Sequence, residues 1–251
     1  MEVPSTQVTG LTRTLVVWTQ KRILGLSRHW LAYANLFWCI LSGVPWLAPI
    51  LMKAGGTGLA RGIYAFYSYL CHQFANRSFF LFGPKLMYSY TDLQPYAADA
   101  NTFLGLRTFV GAPELGYKVA WSDRMVSLYG GILLGGVLFA LLRRWLRSPR
   151  WVLPLLTIVP IVLDGTTHMI SDWHGVGQGF RYDNAWLAYL TQNVFPASLY
   201  VGNKLGSFNS WLRLDTGLLA GLGITWMLYP ALDDAFRDMR RTLVSRFGQS
   251  G

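Results

Sequence analysis

Hydrophobic and polar positions alternate along this chain in long blocks. Trp30–Met52, Leu59–Phe74, Met125–Leu142, Trp151–Ile170 and Trp211–Leu232 are five mostly apolar stretches, several near the roughly 20 residues needed to cross a hydrocarbon core. The pattern predicts an all-α integral membrane bundle of about five transmembrane helices. If the shorter 59–74 stretch is re-entrant, the count becomes four plus that segment. Pro45 and Pro49 should kink the first span, and Gly131/Gly135 and Gly217/Gly221 have the spacing that lets helices approach closely.

Between these blocks the chain changes character. Residues 1–29 form a basic N-terminal segment, with 10–29 patterned as an amphipathic helix lying on a membrane surface. The transmembrane domain runs over 30–232 and includes long loops at 75–121 and 173–210, the first expected to hold short helices or interfacial pieces. A basic tail follows at 233–251. Loop 173–210 is long enough to cap a site as a lid, and filler between spans is the alternative.

Composition agrees: 52% hydrophobic and 14% charged residues exclude an ordinary soluble domain. The formal charge of +10 does not call for nucleic acid, because the arginines gather beside apolar spans, at 143, 144, 147 and 150 and again at 237, 240, 241 and 246. Such clusters suit anionic headgroups on the cytoplasmic side, which implies a cell inner (plasma) membrane with lipids as partners. Protein partners are not legible. No cleavable signal pattern stands out, so the first long span is expected to direct insertion. Two cysteines, Cys39 and Cys71, make no disulfide framework.

Candidate chemistry concentrates where spans end. Asp164, His168 and Asp172 follow one another at i, i+4 and i+8 on one helical face. With the arginine clusters cytoplasmic, this face, Cys71-His72, Asp123-Arg124 and Arg213/Asp215 should converge at the outer membrane face. Three readings fit. In one, His168 with Asp164 or Asp172, plus Cys71 or His72, ligates a divalent metal such as zinc that activates water. Cys71 and His72 diverge by about 100° on a helix, so only one of them reaches the ion unless the helix ends there. In another, Cys71 is a nucleophile with a histidine as base, as in a thiol acyltransferase or hydrolase. In the third, Arg77, Arg124 and Arg213 neutralise Asp123, Asp164 and Asp215, and with Asn209 form a buried structural network.

Cys71-His72-Gln73 followed by Arg77-Ser78 resembles a family of small prokaryotic polytopic membrane proteins known only as a domain of unknown function. The resemblance continues in Asp123-Arg124, in Asp164-Gly165 with His168, and in Ser207 to Arg213, and covers roughly residues 30–230. Many relatives carry Cys-x-Arg-Cys where this chain has Ser122-Asp123-Arg124-Met125, and Gln where His168 stands. The resemblance implies membrane location and no established activity. The function classes are therefore a metal-dependent membrane hydrolase acting on a lipid-like substrate, with Asp164, His168 and Cys71 as catalytic residues, a non-catalytic structural or assembly subunit of a membrane complex, or a small transporter.

Overall fold

The computed structural model describes residues 10–97, 99–144 and 152–248. In chain order these form α1 (Gly10–Lys53), α2 (Thr57–Tyr67), a 3-10 turn (Ala75–Arg77), β1 (Ser78–Leu81), α3 (Tyr90–Leu93), α4 (Phe103–Thr108), β2 (Gly111–Ala112), β3 (Gly116–Ser122), α5 (Asp123–Leu142), α6 (Val152–Asp172), α7 (Phe180–Asp183), α8 (Ala185–Leu190), α9 (Ala197–Tyr200) and α10 (Phe208–Gly248). Trp151, Arg147 and Arg150 lie outside the described residues.

The chain is mostly helical but not all-α. β1 and β2 flank β3 in a three-stranded antiparallel sheet, with Phe80 opposite Lys118 and Gly111 opposite Tyr117. Nearly every residue of β3 is buried, on both faces. A strand enclosed on two sides lacks period-2 alternation, and the sheet therefore left no alternating signature in the 75–121 segment.

Three described helices are long and apolar enough to cross a membrane: α1, α5 and the Pro154–Asp172 part of α6. The expected count of about five spans is not confirmed at two places. The helix in segment 59–74 is α2, only 11 residues from Thr57, which at 1.5 Å per residue reach about half of a hydrocarbon core of about 30 Å. The 211–232 stretch lies within the much longer α10 and does not reach the same apolar level, because Arg213, Asp215 and several glycines dilute it.

Within α1 the residue with non-helical backbone angles is His29, not either proline. Pro45 removes the amide that would bond the carbonyl of Leu41. That carbonyl instead accepts the Tyr67 hydroxyl at 3.1 Å and the Trp121 indole N–H at 3.3 Å. Side chains from α2 and β3 thus occupy a backbone acceptor that the proline frees, and the sheet is anchored on α1.

α5 and α10 run parallel, and α1 and α6 run antiparallel to them. Gly131 of α5 faces Leu218 and Gly221 of α10, and Gly135 faces Thr225, whose hydroxyl donates to the Ile132 carbonyl at 3.2 Å. Gly223 of α10 faces Thr157 and Pro154 of α6. At the end of the bundle near the C-terminal tail, the tail end, Trp30 of α1 packs on Phe139, Tyr229 and Phe236. At the other, the sheet end, Trp121 packs on Tyr67 and Tyr129. Cys39 is exposed on α1 rather than packed, and Cys71 is buried.

The close contact of α5 with α10 is testable. A Cβ added at Gly221 would collide with the Leu128 carbonyl and lie 2.8 Å from the Ile132 amide, while one at Gly130 meets nothing within 4 Å. Gly221→Ala should therefore lower the melting temperature in detergent, the overpacking costing about 1–3 kcal/mol. Gly130→Ala should leave it unchanged or raise it slightly, since alanine costs less helix entropy by about 0.5–1 kcal/mol.

Candidate functional site: an arginine and aspartate cluster at the sheet end

Three helix ends and one loop bring ionised side chains together at the sheet end. Asp123 and Arg124 open α5, Asp164 and His168 lie on α6, Arg213 lies in the first turns of α10, and Arg181 enters from α7. Asp164 is almost fully buried, and both its oxygens are taken: Oδ2 by Arg124 at 2.6 Å and Oδ1 by Arg181 at 2.7 Å. His168 lies against the same residue, its Nδ1 3.1 Å from the Asp164 carbonyl and 3.2 Å from Oδ1. Both neighbours are acceptors, which assigns the proton to Nδ1 and leaves Nε2 as the acceptor.

A second pair sits beside the first. Arg213 grips fully buried Asp123 through Nε at 2.8 and 2.9 Å and through a terminal nitrogen at 2.7 Å. Its other contacts go to Asn203, both side chain (2.8 Å) and carbonyl (2.9 Å). Arg77, just before β1, pairs with Asp172 at 2.6 Å. Asp123 also lies at the N-terminus of α5, where a negative charge is favoured.

Loop 173–207 closes over the cluster through Arg181 and Asn203. Asn209 accepts from Arg181 Nε at 3.2 Å and donates to the Arg181 carbonyl and, at 2.9 Å, to the Gly202 carbonyl. Asn184, in the left-handed region, donates to the carbonyls of Arg181 (3.1 Å) and Tyr200 (2.6 Å). The loop therefore delivers a guanidinium to Asp164, and two asparagines fix the backbone that carries it.

Asp215 does not join the network: it is exposed and forms no ion pair among the described residues. The partner it was expected to supply is Asp172 for Arg77, with Arg213 turning to Asp123. The arginine of the loop, Arg181, carried no periodic cue and was not singled out from sequence.

Cys71 and His72 diverge. Cys71 Sγ accepts from the backbone amides of Gln73 (3.3 Å) and Ser122 (3.4 Å) and touches the Ser122 hydroxyl at 3.4 Å. His72 turns the other way, its ring stacked on Phe74 at 4.2 Å and its Nδ1 accepting the Phe74 amide at 3.2 Å. Among the described residues no imidazole hydrogen-bonds Cys71, the contact that the nucleophile and base reading calls for. Enclosure, then Arg77, Arg124, Arg213 and Lys118, hold His72 well below the ordinary histidine range, and it is neutral near pH 7.

The metal reading meets a donor problem. Among the described residues no group of three or more His, Cys, Asp or Glu is arranged to hold a metal ion. Asp164 and Asp172 are engaged by guanidiniums, which cannot give up their protons to make room for a cation. His72, Asp164, His168 and Asp172 thus do not form the ligand set that their spacing suggested.

A further residue not foreseen from sequence is Lys118 of β3, fully buried. Its ammonium donates to the carbonyls of Gln73 (2.7 Å), Arg107 (2.6 Å) and Leu106 (3.5 Å). The cue was present as a single charge inside an apolar run, Tyr117 to Trp121.

Fold and cluster together define a multi-pass helical membrane protein whose helices carry a buried arginine and aspartate network at one end. The resemblance to an uncharacterised membrane protein family stands: residues 113–227 match the family described as "Predicted membrane protein (DUF2085)". That match takes in β3, α5, α6 and most of the cluster but begins after Cys71-His72-Gln73, so the proposed hallmark is not confirmed. The chain is also similar to an uncharacterized protein of Methanocaldococcus jannaschii, 26% identical over 133 residues, which is 50% of this chain and 64% of that protein. The match thus spans less than two thirds of the relative's length. No solved structure matches.

Lys118 yields a pH prediction. Burial, the largest influence, pushes its pKa down to about 7 from the usual 10.5. The unfolded chain therefore binds the proton first as pH falls, so this residue's contribution to stability is full above about 10.5 and is lost down to about 7. In melts at several pH values, wild type should gain on Lys118→Met as pH rises from 7 to 10. A constant gap between the two would show that Lys118 keeps its proton in the fold throughout.

Proposed function

We propose that the chain is a non-catalytic subunit of a membrane complex, in which the arginine and aspartate cluster fastens sheet and loops onto four membrane-crossing helices. α10 supplies the fourth crossing in this reading, since it runs beside α5 from the Gly217 level to the Tyr229 level and exposes Leu218, Leu219, Trp226 and Leu228. The tail end faces the cytoplasm and the sheet end faces outward across an inner membrane, by the placement of arginines.

The observation that carries the reading is the saturation of Asp164. Both of its oxygens are bound to arginines from different elements, so it is poorly placed to act as a base or metal ligand. This favours a structural role over a metal-dependent hydrolase acting on a lipid-like substrate. A small transporter is supported less, because the charges cluster at helix ends rather than midway along the spans. The assembly role draws further support from Tyr189, Leu190, Val194 and Phe195, exposed at the end of α8 and just beyond it, as apolar side chains suited to a partner.

Metal stoichiometry on protein purified without chelator tests the choice. The expected result is no stoichiometric transition metal in wild type, together with a steep loss of thermal stability in Asp164→Ala. Removing one partner of a buried pair costs about 3–5 kcal/mol. Stoichiometric zinc that disappears in well-folded Asp164→Asn and His168→Ala would overturn the structural reading in favour of the hydrolase.

Four crossings place both long loops on one side. Cysteines introduced at Asn101 and Ser198, both exposed, should react with a membrane-impermeant maleimide in intact cells, and one at Arg144 should react only in inverted vesicles. Labelling of Asn101→Cys and Ser198→Cys from opposite sides would rule out an even number of crossings between them.

A further inference from the structure

The tail end carries a second charged cluster, unlike the first in being open and unbalanced. Arg143 and Arg144, directly after α5, and Arg237 and Arg240 of α10 surround a cavity of about 410 Å³ that Asp233 also lines. Asp233 is buried and already engaged, accepting from Trp30 Nε1 at 3.1 Å and from Arg237. Arg240 gives one terminal nitrogen to the Ser27 carbonyl. Four guanidiniums face one carboxylate, so the cavity retains three positive charges without a partner in its lining.

Nearer the middle of the bundle, the same two helices form an apolar groove of about 190 Å³. Leu138, Phe139 and Leu142 line it from α5, and Leu222 and Trp226 from α10. At about 100° per residue, Leu222, Trp226, Asp233, Arg237 and Arg240 fall within an arc of about 60°. Groove and basic cavity therefore share one face of α10. On α5 the order is the same, with apolar lining up to Leu142 and arginine from the next residue.

We propose that this face binds one anionic phospholipid of the adjoining leaflet, with its phosphate among the four arginines and an acyl chain along the groove. The argument is complementarity of two kinds at the right spacing. Guanidinium groups match phosphate oxygens in geometry and charge, and basic pockets between membrane helices suit lipid headgroups. A soluble phosphate would leave the apolar groove uncovered. A zwitterionic lipid would bring its own ammonium into a cavity already in positive excess. The depth agrees, because Leu142 ends the apolar part of α5 and headgroups lie just beyond such a boundary.

The test uses the full chain in detergent, titrated with short-chain phosphatidylglycerol, short-chain phosphatidylcholine and glycerol phosphate, with binding followed by native mass spectrometry. Phosphatidylglycerol should bind at least tenfold more tightly than either other probe. The exposed pair Arg143→Gln and Arg144→Gln, changed together, should weaken it at least tenfold at an unchanged melting temperature. Leu138→Trp, which fills the groove, should weaken phosphatidylglycerol and leave glycerol phosphate as it was. Equal binding of phosphatidylcholine would overturn the charge assignment, and equal binding of glycerol phosphate would make this a site for soluble anions. Full affinity in both the arginine and the Leu138 variants would remove the site altogether.

Discussion

Asp164 is a carboxylate taken almost fully out of water near the end of an apolar helix. Left alone, such a charge would cost several kcal/mol and would neutralise or drag solvent inward. Two guanidiniums, one on each carboxylate oxygen, prevent this, one from the start of α5 and one from α7 in the loop. The burial therefore imposes conditions on the rest of the chain. α5 and α6 must meet at this level, and loop 173–207 must hold Arg181 in place, which explains the two asparagines spent on one stretch of backbone. Removing the carboxylate would release the loop as well as the helix pair.

The two ends of the bundle solve opposite electrostatic problems. At the sheet end, four arginines meet three aspartates in buried pairs with short contacts, and little net charge is left to attract a ligand. At the tail end the ratio is four to one around an open cavity. Between them α5 and α10 touch through Gly131, Gly135, Gly221 and Thr225. The two clusters differ in balance and enclosure, although both are rich in arginine.

How much of this was legible in the sequence depended on whether the cue was periodic. The contact of Asp164 with His168 follows from their i, i+4 spacing, and the glycine pairs mark the helix contact. Asp215, expected in the network, is two residues from Arg213 and so lies about 200° around α10 from it, on the exposed side. Asp123, distant in sequence, took its place. The span expected at 59–74 is not confirmed, because apolar composition does not distinguish a helix crossing lipid from one packed on a sheet. Tyr64 and Tyr67 are buried against α1 and β3 instead of facing lipid. Arg181 was illegible since its position comes from a left-handed Asn184 and a tight loop, neither of which has a period.

The Cys-His-Gln segment shows how a motif that looks catalytic can be accounted for by hydrogen bonding. Tyr64 donates its hydroxyl to the Lys118 carbonyl, Lys118 donates its ammonium to the Gln73 carbonyl, and Gln73 donates its side-chain amide to the Tyr64 carbonyl. That closed ring ties the end of α2 to β3 and sets Gln73 in the left-handed region. The turn points two backbone amides at Cys71 Sγ, so the sulfur acts as an acceptor between Gln73 and Ser122. A small, weakly accepting side chain fits this position, whereas a larger apolar one would leave both amides unpaired in the interior. Ser122 immediately precedes Asp123, so the turn that holds Cys71 also fixes the start of α5 and, through it, the arginine pairs of the cluster.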